Sequence, residues 1–374
     1  MDLKKRTIET PEAKPHTIKK FELIEAYVKT WAQKLLNYRN CDGIVFIDCM
    51  SNSGVYQDIE DNEVLGTPIR IARYLSTIMQ EYPSKKAWLY FNDWSDGKIE
   101  VLKARLPQNT SNFTITTSCG DGNDLLKTIA ANRSKHPDAN YLVVYDPYTA
   151  SLDWEALTPF FRDIWGEVIL NHMVDADSIR GVSQAKNKTA IDKYEKTYLT
   201  SIANLRLLGS NRVAYEQRIW EIIKSLKGPV NRKYFIASFP FFNRKNTRVY
   251  SLIHCSSNPE GFKLYKKTAW DTFGGKSSAK DTHGMESLLA LDFDEGGLKS
   301  QTDEYCYFVK DIATHLCDVF NGRKDVTLEE IWNVLDNHPV FPSDGYKDKV
   351  KRELRSFHNV KISKQSMTFP ERRK

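Results

Sequence analysis

The 374-residue chain is short of the features that mark specialised proteins, and each shortage removes a class. No apolar run approaches the roughly 20 residues of a membrane-spanning helix, so no membrane partner is expected. The opening Met1-Asp2-Leu3-Lys4-Lys5-Arg6 lacks the apolar centre of a secretory signal, and a cytoplasmic location is the expectation. Six cysteines (Cys41, Cys49, Cys119, Cys255, Cys306, Cys317) include no CxxC pair, so buried thiols are expected rather than disulfides or a zinc site. Glycine is sparse where a phosphate cradle would need it. Between Asp48 and Tyr56 there is one, Gly54, which argues against a pyrophosphate ligand. There are no internal repeats.

Charge of one sign is also scarce overall, at net +6, but it is unevenly placed. Residues 345–374 contain Lys347, Lys349, Lys351, Arg352, Arg355, Lys361, Lys364, Arg372, Arg373 and Lys374 against Asp348, Glu353 and Glu371. Such an excess fits a polyanion partner or a solvated helix face with a tail.

What is present is alternation. Apolar residues make up 41% of the chain, enough for ordinary burial, and the length calls for a main domain with an appendage. Residues 1–18 read as a disordered start. Strands are expected at 44–48, 87–91, 113–116, 141–145 and 167–171, each followed by a helical pattern except the last. Five such units argue for a doubly wound, mostly parallel α/β sheet over 19–273. A helical insertion interrupts it at about 177–229. Closing strands at 234–239 and 248–255 follow, the second open to an antiparallel pairing. A linker is expected at 274–304. Three helices and a β-prone end at 305–374 describe a winged-helix-like basic domain.

The chemistry gathers where strands end. Asp48, Asp93, Asp121 and Asp146 follow the first four strands, and open α/β sheets bind ligands outside the strands' carboxyl ends. A carboxylate there offers paired acceptors to a ribose diol. A single strand-end Asp more often caps the next helix, but four repeat the same placement. Asn52, Ser53 and Gly54 form a small turn able to approach a ligand without phosphate closely. Asp146-Pro147-Tyr148 after the fourth strand resembles, without a second proline, the arrangement of enzymes that methylate an exocyclic base amine, in which an acid accepts from the amine and an aromatic stacks on the base. The plain alternative is an Asp-Pro turn packing a tyrosine. His172, after the fifth strand, is read first as structural.

Together, Phe46-Ile47-Asp48 with its turn to Gly54, Gly66-Thr67-Pro68, Asn92-Asp93, Gly120-Asp121, Tyr145-Asp146-Pro147-Tyr148, Val168 to Met173 and the late Tyr250-Ser251-Leu252-Ile253 strand resemble the three-Cys-motif partner proteins. These are bacterial proteins named for a neighbouring gene product with a three-cysteine motif. The resemblance covers roughly residues 18–270, and it implies a Rossmann-like, methyltransferase-type sheet with S-adenosylmethionine as cofactor. The more usual Asp-x-Phe-Ala-Gly-x-Gly loop of that family is here Asp48-Cys49-Met50-Ser51-Asn52-Ser53-Gly54, one glycine fewer.

Three readings follow. The first is an S-adenosylmethionine-dependent methyltransferase acting on a nucleic-acid base amine. In it Asp48, Asn52, Ser53, Gly54, Asp93 and Asp121 line the cofactor, Asp146, Pro147 and Tyr148 hold the base, and no metal is needed. Lys347, Lys351, Arg352, Arg355 and Lys361 would grip phosphates. The second is a non-catalytic nucleic-acid-binding scaffold for the three-cysteine partner. The third is a metal-dependent nuclease using Asp48, Asp93 and Asp146.

Overall fold

The computed structural model of the chain describes residues 10–136, 138–162, 166–173, 176–226, 234–243, 245, 247–280 and 306–371. The expected tail at 1–9, insertion residues 227–229, linker residues 281–304, the helix start at Tyr305 and the basic end Arg372, Arg373 and Lys374 lie outside the described residues.

The central strands are β1 (Gly43–Asp48), β4 (Lys86–Asp93), β5 (Phe113–Cys119), β6 (Ala139–Tyr145), β7 (Gly166–His172), β8 (Phe235–Phe242), β9 (Arg248–Ser256) and β10 (Ala279–Lys280). They line up as β10-β8-β9-β7-β6-β1-β4-β5. All neighbours are parallel except β9, which is antiparallel to both β7 and β8. This is the doubly wound, mostly parallel α/β sheet expected from the sequence. Strand order reverses at β1, which pairs with β4 on one side and β6 on the other, so the switch point lies between the ends of β1 and β6.

Continuous apolar runs become central strands because both faces are covered. Ile44 and Phe46 of β1 turn to a core shared with helices α1 (Pro15–Leu36), α2 (Thr67–Ile78) and α10 (Pro259–Thr272). Val45 and Ile47 turn to a core shared with α4 (Gly122–Ala131), α5 (Trp154–Arg162) and the insertion. The insertion is helical as expected: α6 (Ala176–Gln184), α7 (Lys188–Tyr198), α8 (Ile202–Leu207) and α9 (Arg212–Ser225). Between β5 and β4 runs α3 (Asp96–Lys103).

Several local expectations need correction. Residues 10–18 are ordered: α1 begins at Pro15, whose fixed φ suits a first turn, and Ala13 is buried with its N–H on the Gln57 carbonyl. From the sequence, Thr67 reads as the cap of α2 with Pro68 first in the helix, and the structure differs. The cap is Gly66, where a Cβ would lie 2.7 Å from the Tyr56 ring, and Thr67 is the first helical residue. A hairpin of β2 (Val55–Gln57) and β3 (Glu63–Leu65) was not expected, because three-residue strands carry no readable period.

After residue 305 come α11 (Val309–Val319), α12 (Leu328–Asn337), α13 (Lys347–Phe357) and a small sheet of β11 (Val326–Thr327), β13 (Ser366–Thr368) and β12 (Lys361–Ile362). This block packs on α10, and its apolar residues join the core of one sheet face. Lys266, fully buried, donates to the carbonyls of Leu335, Asp336 and His338 at 2.7, 3.1 and 2.8 Å. Those carbonyls cluster at the C-terminal end of α12, which favours a cation, and that of Leu335 also accepts the His338 N–H at 3.1 Å. Trp270 Nε1 donates to the Val340 carbonyl at 2.9 Å, and the Tyr346 hydroxyl to Asp271 at 3.0 Å.

Lys266→Met keeps the stem and removes the ammonium donor, leaving the carbonyls of Asp336 and His338 without it at a cost of about 1–3 kcal/mol. Amide hydrogen exchange in 309–357 should accelerate while β1 and β4 keep their protection. Unchanged exchange there would mean the lysine does not hold the block.

Candidate functional site

Parallel register brings the acids to one rim. Asp48 is level with Phe91 of β4 and Val144 of β6, so Asp93 and Asp146 each stand two residues further out on either side of it. Asp48 is only 4% exposed, and the Met50 N–H donates to it at 3.4 Å. Burial, with the neighbouring Asp146 charge adding to it, pushes its carboxyl up to about 7. Asp146 is ion-paired with Lys20 of α1 and accepts from the Asn171 amide at the end of β7. The other amide atom, Asn171 Oδ1, is buried and has no hydrogen-bond partner.

The turn after β1 is held by Asn92. Its side chain donates to the carbonyls of Cys49 (3.2 Å) and Gly120 (2.9 Å) and accepts from Ser118, while its own carbonyl receives the Ser51 N–H at 2.7 Å. Asn52 (φ +55°) and Gly54 (φ +67°) take left-handed backbone, and a Cβ on Gly54 would meet Ile69 and Leu102 at 2.9 Å. Asn52, Ser53 and Gly54 therefore form a tight turn, with all three residues buried.

Asp93 is 2% exposed and heavily used. Its Oδ2 accepts from the Asn52 N–H (3.1 Å) and the Tyr148 hydroxyl (2.8 Å), and its Oδ1 from the Ser95 N–H (3.0 Å). Lys98 Nζ lies 4.0 Å from Oδ1, donates to the Tyr148 hydroxyl at 3.2 Å and sits 5.1 Å from that ring's centroid. A ribose diol at Asp93 would take the place of the Tyr148 hydroxyl. Tyr148 is free to yield it, being 54% exposed. Beside Asp93 the Trp94 side chain is 65% exposed and offers an aromatic face.

The other expected residues divide. Asp121 caps α4, accepting the Asn123 N–H at 2.8 Å, so its first task is the local one. Pro147 follows Asp146 in the rim loop and is buried. His172 is core: 1% exposed, bonded to the Tyr198 hydroxyl at 3.1 Å, and pushed down to about 3 by burial and by Arg248. Of the basic set, Arg352, Arg355 and Lys361 are exposed. Lys347 and Lys351 each lie 5.8 Å from the Trp332 ring centroid, with Asp344 and Asp348 respectively at 4.0 and 3.9 Å. All six cysteines are free thiols; Cys119 is exposed and Cys306 partly so, against the expectation of burial. Among the described residues no three His, Cys, Asp or Glu are grouped to hold a metal ion, and no helix is long and apolar enough to cross a membrane.

Lys20, Trp94, Lys98 and Asn171 were not singled out from sequence. Trp94 had a signal, an aromatic directly after a strand-end acid. Lys20 had none, because its partner is 126 positions away.

No protein-family model and no curated protein matches the sequence. Among solved structures the chain is similar to a Legionella pneumophila protein of the family DUF519, at 12% identity and TM-score 0.38, over 68% of this chain and 92% of that one. It is also similar to human methyltransferase-like protein 13 in complex with SAH, at 10% identity and TM-score 0.30, over 72% and 98%. A geranyl diphosphate methyltransferase crystallised with GPP and sinefungin aligns at 10% identity and TM-score 0.25, over 62% and 76%.

The raised Asp48 carboxyl has a stability consequence. Between pH 4 and 7 the folded chain keeps a proton that the unfolded chain releases, so stability falls as pH rises through that window. The loss is complete above pH 7 and amounts to about 4 kcal/mol at most. Asp48→Asn should flatten the thermal midpoint against pH and be more stable than the parent at pH 8, but not at pH 4. Parallel curves for the two proteins would show that Asp48 titrates normally.

Proposed function

We propose that the chain is an S-adenosylmethionine-dependent methyltransferase whose acceptor is an exocyclic amine of a nucleic-acid base. The observation that carries this is the surplus of acid at the switch point. Three buried or half-buried carboxylates, Asp48, Asp93 and Asp146, face Lys20 and the more distant Lys98, and Asn171 Oδ1 beside them has no donor. Low-dielectric surroundings with more acceptors than donors favour a ligand bringing cationic and N–H groups. The cofactor has both, and no phosphate, which agrees with the one-glycine turn.

When bound, the cofactor supplies an electrophilic methyl group on a sulfonium. The chain's own residues do the rest. Asp93 takes the ribose hydroxyls as Tyr148 swings out, and Trp94 covers an adenine face. The turn 51–54 approaches the methionine end, with Asp48 beneath it. Asp146 and Asn171 Oδ1 accept from the target amine, which directs the nitrogen lone pair along the transfer line. The exposed Tyr148 ring stacks on the base. We read the C-terminal block as a winged helix whose Arg352, Arg355 and Lys361 contact phosphates.

One specific observation favours the non-catalytic reading. Asp93 is already satisfied by Asn52, Tyr148 and Ser95, as a carboxylate in a retired site would be. Under that reading the chain is a binding partner for a three-cysteine-motif protein.

Isothermal titration with S-adenosylmethionine decides between them. A dissociation constant below about 1 mM, weakened at least tenfold in Asp93→Ala, is expected; no heat at that concentration would end the enzymatic reading. For the acceptor, exchanging Arg352, Arg355 and Lys361 together for alanine should weaken single-stranded DNA or RNA binding and lower its log–log salt slope by about 2–3. An unchanged slope would move the nucleic acid elsewhere on the protein.

A further inference from the structure

Further along the same sheet edge, beyond β7, lies a second cavity of about 240 Å³, between α9, the end of β8, the start of β9 and the C-terminal block. Its walls are largely apolar, from Val213, Trp220, Pro240 and Val340. Arg248, 5% exposed, also lines it, ion-paired with Glu216 and donating to Ser251. Of three lining polar atoms without a hydrogen-bond partner, Glu216 Oε2 is held in the Arg248 ion pair, and two have no partner of either kind. They are the Ser238 hydroxyl, on a residue 5% exposed, and the Trp220 indole N–H.

Buried polar groups are nearly always satisfied, and an orphan in a cavity marks the place of a ligand group. The indole N–H only donates, and the serine can donate, so the missing partner carries acceptors. The Arg248 charge is already answered by Glu216, so a charged ligand would be buried unpaired. A cavity of about 150 Å³ accommodates a benzene ring, so this one has room for two fused rings. We infer that the cavity is a binding site for an uncharged, fused bicyclic heterocycle of purine size that presents acceptors to Trp220 and Ser238. The site does not depend on methyl transfer at the acid rim.

Saturation-transfer NMR and calorimetry on the full chain test this with hypoxanthine, which has acceptor edges, and indole, a ring of like size without them. Hypoxanthine should bind, and indole about tenfold more weakly or not at all. Ser238→Ala removes one hydrogen bond with little change in shape, and Trp220→Phe removes the indole N–H together with part of the cavity wall. Each should weaken hypoxanthine about five- to tenfold, with thermal midpoints near the parent's. Asp93→Ala should leave hypoxanthine binding intact, which separates this site from the rim. No hypoxanthine binding at a few millimolar, roughly the weakest affinity a titration resolves, would overturn the proposal. Equal binding of the two probes, or undiminished binding in both pocket variants, would do so as well.

Discussion

Carboxylates gathered at the point where the sheet reverses direction impose the main constraint on this protein. Asp48, Asp93 and Asp146 cannot all be charged and buried without compensation. The chain meets this in three ways. Lys20 reaches in from α1 to Asp146, backbone N–H groups and Tyr148 satisfy Asp93, and Asp48 holds its proton to about pH 7. The residual imbalance, with Asn171 Oδ1 left without a donor, sets the rim apart from a set of helix caps.

That constraint explains the role of the first helix. α1 contributes Leu23, Tyr27, Val28 and Trp31 to the core, yet the same helix carries the cation for the acid cluster. Packing against α2 and α10 fixes where Lys20 points. A similar device anchors the C-terminal block, where Lys266 on α10 meets the terminal carbonyls of α12. In both cases a lysine stem lies against apolar surface and its ammonium ends at concentrated negative partial or full charge. The rim, the second cavity and the basic face are thereby held on one packed framework, since the cavity draws residues from the insertion, the sheet and the C-terminal block alike.

Much of the fold was legible in the chain. Buried parallel strands read as apolar runs ending in small or acidic residues, and the runs at 44–48 and 141–145 correspond to β1 and β6. Helix pattern was equally clear in α1 and in the insertion. Short elements were not legible: the hairpin of β2 and β3 has too few residues for a period, and β10 has two. At the site, the acids were found because strand ends are visible in sequence. Lys20, Asn171 and the meeting of Ser238 and Trp220 at one cavity were not, because each owes its importance to a neighbour far along the chain.

The sequence by itself determined the alternation of strand and helix, the placing of four acids after four strands, and the single-glycine turn. Local stereochemistry and hydrophobic period are properties of adjacent residues, so they can be read there. Only the tertiary structure decided which acids meet, which of them is a cap, which cation answers them and where polar groups are left without partners. Those outcomes depend on the strand order and on the burial it creates. Desolvation and Coulomb interaction act through space, between groups that the chain brings together only when it folds.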